Sequence, residues 1–193
     1  MNKVALAVCL LGVGAGCTTV AYNYSKEPDP RQSEFVLGPS DVVRVTVWKN
    51  PELTTDARIR PDGTITLALI GDIRATLRTP TELRNEITSR LRAFVKDEVI
   101  VTIAVLEVNS YRFTVGGNVE HGGIFNTKYY VTAAEALAMA GGLNKFANGD
   151  QMLIVRPVKG GVRRVPLNYT RISSGEHPEE NVVLLSGDTL FVP

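Results

Sequence analysis

The pattern of apolar and polar positions predicts a chain made mostly of strands, recognised by alternation with a period of two or by short apolar runs between turn residues. The predicted strands are residues 42–48, 64–70, 99–108, 111–119, 152–156, 162–166, 181–185 and 189–192. Val43, Val45 and Val47 share one face of the first strand. Both faces of residues 99–108 are apolar, which indicates that this strand is covered on both sides. The sole tryptophan, Trp48, is predicted to belong to the core.

Two helices are predicted from their N-terminal signals. Thr79 with Glu82, and Thr132 with Glu135, have the spacing of a capping box. The first helix continues in an apolar stripe at helical spacing. The stripe consists of Leu83, Ile87, Leu91 and Phe94. Gly141, followed by Gly142, ends the second helix as a left-handed residue.

The start of the chain has the features of a targeting segment. Lys3, an apolar run and small residues are typical of a secretory signal peptide over residues 1–16. Cys17 follows directly, and Cys9 lies in the segment that would be removed, so Cys17 has no partner for an intrachain disulfide. We therefore predict that Cys17 carries a lipid, and that residues 17–33 form an extended tether.

Composition and charge narrow the possible partners. The chain has 193 residues, of which 44% are hydrophobic and 21% charged, as in ordinary globular proteins. Removing residues 1–16 takes away Lys3 alone among charged residues, which leaves 20 basic against 20 acidic residues. A neutral chain argues against nucleic acid as a partner, because nucleic-acid binding needs a basic surface.

The stretch FVLGPSDVVRVTVWKNPELTTDARIRPDGTITLALIG, Phe35–Gly71, resembles the export domain of the Wza-type polysaccharide export lipoproteins. The resemblance lies in the order of its short motifs, LGPxD, ARIRPDGTITL and LIGDI. Its motif positions are Gly38, Pro39, Asp41, Pro61, Asp62, Gly63 and Gly71. The family usually has glycine where Ser40 stands, and often proline where Ala68 stands. The resemblance implies an export domain over residues 34–109.

The second half, residues 110–193, resembles a soluble-ligand-binding β-grasp domain. The similar segments are FTVGGNV, a helix ending in AGGL, IVRP and the closing SGDTLFVP. Their motif positions are Gly116, Gly117, Gly141, Gly142, Arg156, Gly187 and Asp188. The implied fold is α+β, with two small β-rich domains, each a sheet with one packed helix, and the second β-grasp-like. Longer family members continue into another such domain and a C-terminal amphipathic helix, so this chain is expected to be a short form.

The resemblance implies a transport protein without catalytic residues, cofactor or metal. Lipid-anchored subunits at the outer membrane, facing the periplasm, are expected to form rings of about eight copies with closed symmetry. The ring would pass a capsular polysaccharide or exopolysaccharide. The expected partners are further copies of the chain, the polysaccharide, an inner-membrane polysaccharide co-polymerase and a separate outer-membrane β-barrel protein.

A lipid-anchored periplasmic protein that binds or cleaves glycans is the alternative. Cleavage needs two nearby carboxylates, and Asp41, Asp62, Asp72 and Asp188 are the candidates. Each adjoins a turn residue, so we favour turn capping, whose loss typically costs about 1 kcal/mol. His121 and His177 lack a partner at metal-ligand spacing. Self-association distinguishes a ring-forming subunit from a monomeric glycan binder.

Overall fold

The computed structural model describes residues 22–96 and 98–193. The α-helices of this part are α1 (Pro80–Leu91), α2 (Ala133–Met139) and α3 (Tyr169–Ser174). The strands are β1 (Val42–Val47), β2 (Thr55–Arg58), β3 (Thr64–Leu67), β4 (Gly71–Arg74), β5 (Val101–Glu107), β6 (Arg112–Gly117), β7 (Gly123–Asn126), β8 (Met152–Val158), β9 (Gly161–Leu167) and β10 (Thr189–Val192). The predicted α+β class, with β-rich parts that each pack a helix, is confirmed.

The first half of the chain builds a three-stranded antiparallel sheet, ordered β2-β1-β5, and a separate β3–β4 hairpin. Helix α1 begins at the predicted capping box, in which Thr79 and Glu82 bond each other's backbone N–H groups. Its buried residues, Leu83, Ile87 and Leu91, join Val43, Val45 and Val47 in one core. The spacing of the apolar residues in α1 and in β1 therefore determines which face of each element packs into the core.

The second half builds a five-stranded sheet, ordered β7-β6-β10-β8-β9. Strands β6 and β10 run parallel at its centre, and the other neighbours are antiparallel. The domain's first strand thus lies beside its last, and α2 buries Ala136 and Leu137 in the same core, as in a β-grasp fold. Helix α2 has the predicted capping box of Thr132 and Glu135, and Gly141 after it has φ +80°.

The first core draws on residues 37–101 and the second on residues 111–192. The chain passes from one to the other through Asn109 and Ser110, between β5 and β6. The domain limits proposed from the sequence stay predictions.

Several strand predictions need correction. The predicted strand at residues 64–70 ends at Leu67, and Gly71 and Asp72 open strand β4 instead of ending the preceding one. A turn at residues 68–70 folds the chain back, so the apolar run forms a hairpin. Residues 181–185 form one isolated bridge, between Thr132 and Val183, and no strand. Strands β2 and β7 and helix α3 were not predicted.

Predicted burial also needs correction at three places. Strand β5 is covered on one side only, and Leu106 stays 44% exposed because no element of the described chain covers that face. Phe94 lies beyond the end of α1 and is 59% exposed, so it leaves the stripe. Trp48 is 61% exposed, so its assignment to the core is wrong.

Residues 22–27, expected to belong to an extended tether, instead pack on the second half of the chain, and two 3-10 turns lie within residues 22–33. Tyr22 and Tyr24 lie against its core, and the Tyr24 hydroxyl donates to the carbonyl of Pro166 at 2.7 Å. Aromatic side chains that find an apolar surface favour a docked conformation over an extended one.

The predicted signal peptide and Cys17 lie outside the residues that the structure describes. Within residues 22–96 and 98–193, no helix has the length and apolar character needed to cross a membrane.

Candidate functional site

The turn of residues 38–41 fastens the two halves of the chain together through Asp41. This carboxylate is fully buried. It accepts hydrogen bonds from the backbone N–H groups of Gly38, Asn109 and Ser110 at 2.7–2.8 Å, and from the Ser110 hydroxyl at 2.8 Å. Asp41 therefore caps its own turn, as predicted, and also holds the segment that connects β5 to β6.

Gly38 makes this contact possible. A Cβ atom at Gly38 would lie 2.4 Å from the Cβ of Ser110, which is far inside van der Waals contact. Next to it, the rings of Phe35 and Tyr130 lie 6.3 Å apart and connect the same two halves. The LGPxD motif thus connects the two halves of the chain. We call Gly38, Asp41, Asn109 and Ser110 the Asp41 joint.

Ser40 adopts a left-handed backbone in this turn. The Asp41 N–H bonds the Gly38 carbonyl at 3.3 Å, with Pro39 at the second position and Ser40, at φ +74°, at the third. A type II turn of this kind favours glycine at its third position. This geometry explains why glycine suits the place that Ser40 occupies.

We expect Ser40→Gly to raise the free energy of unfolding by about 0.5–1 kcal/mol, since it removes the left-handed strain at some cost in unfolded-chain entropy. Thermal unfolding measures the gain. Ser33→Gly is the matched control, because Ser33 has an ordinary φ of −130°. A lower melting temperature for Ser40→Gly would contradict the assignment of strain to this residue.

The second group of motif residues lies around Arg60, in the turn between β2 and β3 and at the start of β4, and we call it the Arg60 hairpin. Pro61 is the second residue of a turn closed by the Gly63 N–H and the Arg60 carbonyl, at 2.9 Å. The Arg60 guanidinium contacts both Asp62 and Asp72 at 2.9 Å. Asp62 also accepts from the Thr64 N–H at 3.0 Å, so it caps the turn as predicted. The remaining motif glycines of this region both have positive φ, Gly63 in the turn before β3 and Gly71 at the start of β4.

Asp62 and Asp72 are the nearest approach to the carboxylate pair of the enzymatic alternative. Hydrogen bonds from Thr64 and Arg60 lower the pKa of Asp62 to about 2. Hydrogen bonds from Thr66 and Arg60 lower the pKa of Asp72 as well. A general acid needs a raised pKa to hold its proton near neutral pH, so this pair favours a structural role.

A buried ionic cluster holds the third group of motif residues. The Arg156 guanidinium donates to the Asp188 carboxylate at 2.7–3.1 Å and to the Val183 carbonyl at 3.1 Å. It also donates to Glu27 at 2.6 Å. All three charged side chains are at most 4% exposed. Tyr22 donates to Glu27. Burial, together with this hydrogen bond and the negative charge of Glu27, raises the pKa of Tyr22 to about 12.

The glycines predicted for the β-grasp motif differ in their backbone conformation and in the space around them. Gly117 has φ +90°, and a Cβ there would lie 2.0 Å from the carbonyl oxygen of Val192, so β6 and β10 admit only glycine at this point. Gly116 has open space around it. Gly142 and Gly187 lie in turns, and the Gly187 N–H bonds the Arg112 carbonyl at 2.8 Å.

Comparison with known proteins gives a family match over part of the chain. Residues 29–106 match the family described as polysaccharide biosynthesis/export protein. The predicted resemblance to polysaccharide export proteins is confirmed. The match contains the Arg60 hairpin and, of the Asp41 joint, the turn of residues 38–41, while Asn109 and Ser110 lie just beyond it. We call residues 29–106 the export segment.

The similarity to individual relatives covers more of the chain than the export segment does. The chain is 28% identical to the EPS I polysaccharide export outer membrane protein EpsA of Ralstonia solanacearum, with 84% of this chain and 48% of that protein covered. It is 26% identical to the exopolysaccharide production protein ExoF of Rhizobium meliloti, with 63% of this chain and 31% of that protein covered. The chain thus spans about half of EpsA and less of ExoF.

The structure brings some motif residues together and keeps others apart. Arg156 and Asp188 are 32 residues apart in sequence and form one ion pair. The Asp41 joint, the Arg60 hairpin and the Arg156 cluster share no residue, so they are separate features and not one reaction centre. Within the described ranges, no three metal-binding side chains cluster.

Sequence reasoning missed Glu27 and Ser110, which complete the Arg156 cluster and the Asp41 joint. Ser110 carries no signal beyond its place between two strands. Glu27 stands in a stretch with Tyr22 and Tyr24, and aromatic residues are rare in true linkers. The number of aromatic residues in this stretch was the one available sign that it is docked.

Proposed function

We propose that this chain is a subunit of an assembly that exports an exopolysaccharide at the outer membrane. The observation that carries the proposal is the match of residues 29–106 to the export family, which includes the turn whose Asp41 holds the segment between the two halves. The similarity to EpsA covers 84% of the chain and therefore includes most of the β-grasp half. The joint gives the two halves a fixed arrangement, which suits a stacked assembly.

The proposed role is transport without catalysis. The candidate aspartates are engaged by Gly38, Arg60, Thr66 or Arg156, and the lowered pKa values of Asp62 and Asp72 suit structural ion pairs. Directing a polymer through a passage requires surfaces and a lumen. The arrangement of these carboxylates therefore supports the transport role over glycan cleavage.

We propose further that the subunits close into a ring of about eight copies by head-to-tail contacts. Exposed large apolar side chains are available for such contacts on both halves. They include Leu77, Ile124, Tyr129 and Phe146.

Sedimentation velocity of the full chain, extracted from membranes in detergent, tests the ring. We expect one species several times the mass of a subunit. A single monomeric species at high protein concentration would contradict ring assembly and favour the glycan-binding alternative, because a monomeric binder needs only one cleft.

Anchoring at Cys17 belongs to the same proposal. Cys17→Ser is expected to remove the acyl mass from the mature protein and to release it from the membrane fraction, because a lipid is the proposed anchor. Mass spectrometry of the mature protein and fractionation of cells measure both effects. An unmodified Cys17 thiol in the wild-type protein would contradict the anchor.

The proposed neighbours are an inner-membrane polysaccharide co-polymerase on the periplasmic side and a separate protein in the outer membrane. Crosslinking in intact cells, followed by mass spectrometry of the captured proteins, identifies them. We expect crosslinks to one protein of each membrane, and crosslinks confined to other copies of this chain would contradict both neighbours.

A further inference from the structure

The outer face of the β2-β1-β5 sheet is a surface that the proposed function leaves unexplained. The opposite face packs on the core with Val43, Val45 and Val47. Alternation along β1 therefore turns Arg44, Thr46 and the following Trp48 outward. All three are exposed, and Trp48 is 61% exposed.

The backbone holds Trp48 in place. Its N–H donates to the Ile100 carbonyl at 2.9 Å, and its carbonyl accepts from the Asn50 side chain at 3.0 Å. The Asn50 N–H closes the turn on the Val47 carbonyl at 3.1 Å. Lys49 inside the turn has φ +61°, a left-handed conformation that costs free energy. Strained backbone beside an exposed tryptophan is typical of functional surfaces.

Beside Trp48 this face carries polar, small and apolar side chains, among them Ile100, 48% exposed, and Leu106, 44% exposed. The register of β1 and β5 places Thr46 opposite Thr102 and Arg44 opposite Ala104, and continuing it places Trp48 opposite Ile100. Strand β2 adds Asp56, which binds Arg44 through two hydrogen bonds of 2.6 and 2.8 Å. The face therefore combines an aromatic ring, hydroxyl groups and an ion pair with no net charge.

We propose that this face binds sugar rings of the exported polysaccharide, with Trp48 stacking on the apolar side of one ring. The inference rests on the proposed function and names the surface that contacts the polymer. The four-residue separation of Arg44 and Trp48 gives the face a length of about 13 Å, so it reaches beyond a single sugar.

The chemistry of the face matches a saccharide better than a second protein surface. Sugar hydroxyls pair with the hydroxyls of Thr46 and Thr102 and with the fixed Arg44–Asp56 pair, while the C–H groups of a ring pack on the indole. The cores of protein interfaces are instead depleted in charged residues. The face has no net charge, which also suits a hydroxyl-rich polymer.

Fluorescence tests the proposal directly, because Trp48 is the single tryptophan of the chain. The full chain in detergent is titrated with short oligomers made by partial acid hydrolysis of the exopolysaccharide of the source bacterium. Dextran oligomers serve as the unrelated saccharide. We expect a saturable change in emission with the exopolysaccharide oligomers and none with dextran.

Calorimetry of variants assigns the binding to this face. Trp48→Ala is expected to weaken binding by at least about tenfold, which corresponds to ~1.4 kcal/mol, because it removes the ring on which the sugar stacks. Trp48→Phe is expected to keep most of the affinity. Phe94→Ala is the matched control, because Phe94 is an equally exposed aromatic residue outside the sheet.

Three results would overturn the saccharide surface: no saturable change in emission, equal affinity in Trp48→Ala, or a smaller assembly on sedimentation of Trp48→Ala. The last result would make the face a contact between subunits. Export itself is measured separately as secreted exopolysaccharide from cells that lack the chain. Loss of secretion without oligomer binding would overturn this inference and leave the proposed function standing.

Discussion

Replacing Asp41 by alanine is expected to lower the free energy of unfolding by about 3–5 kcal/mol. The change leaves three backbone N–H groups, those of Gly38, Asn109 and Ser110, without their shared acceptor in a closed site. Each unsatisfied buried donor costs about 1–3 kcal/mol. The effect therefore exceeds the ~1 kcal/mol expected for a simple turn cap. Urea unfolding followed by circular dichroism measures it.

The control for Asp41→Ala is Asp56→Ala. Asp56 pairs with Arg44 on the surface, where its side chain is 45% exposed, and exposed ion pairs contribute at most about 1 kcal/mol. Asp41→Asn is a second test, because the amide would direct an NH₂ group at backbone donors. Equal stability of Asp41→Ala and Asp56→Ala would mean that the joint does not depend on the buried carboxylate.

Replacing Arg156 by methionine is expected to cost about 3–5 kcal/mol. The change leaves Asp188 buried without a cation and leaves Glu27 with only the half-exposed Arg163, at 3.4 Å. Removing one partner of a buried ion pair carries a cost of this size. Because Arg156 also binds the Val183 carbonyl, the loss should loosen residues 22–33 together with the segment before β10. Thermal unfolding gives the size of the effect.

Limited trypsin digestion locates the effect, since Lys26 and Arg31 lie in the docked segment. We expect rapid cleavage at these residues in Arg156→Met and protection in the wild type. Arg164→Met is the matched control, because Arg164 is exposed on the neighbouring strand β9, and surface substitutions usually stay within about 0.5 kcal/mol. Unchanged protection in Arg156→Met would contradict a role for the cluster in docking.

Local patterns predicted the parts of the fold that depend on local physics. The capping boxes of Thr79 and Thr132 formed where they were expected, because their partners lie three residues away. The alternation of Val43, Val45 and Val47 predicted the buried face of β1, because it also depends only on residues that are close in sequence.

Long-range contacts could not be predicted from the sequence. Glu27 finds Arg156 across 129 residues, and Asp41 finds Ser110 across 69, so no local pattern signals either contact. Trp48 illustrates a different limit, because its burial depends on whether another element covers the outer face of its sheet. Composition favoured burial of a tryptophan, whereas the arrangement of the described elements leaves it exposed.

Secreted exopolysaccharide is the quantity that tests the export proposal most directly. Cells of the source bacterium that lack this chain are compared with the same cells carrying the wild-type chain or an empty vector, and extracellular polymer is measured as hexose equivalents. The account predicts that secretion is lost without the chain and restored by the wild type. Undiminished secretion without the chain would contradict it.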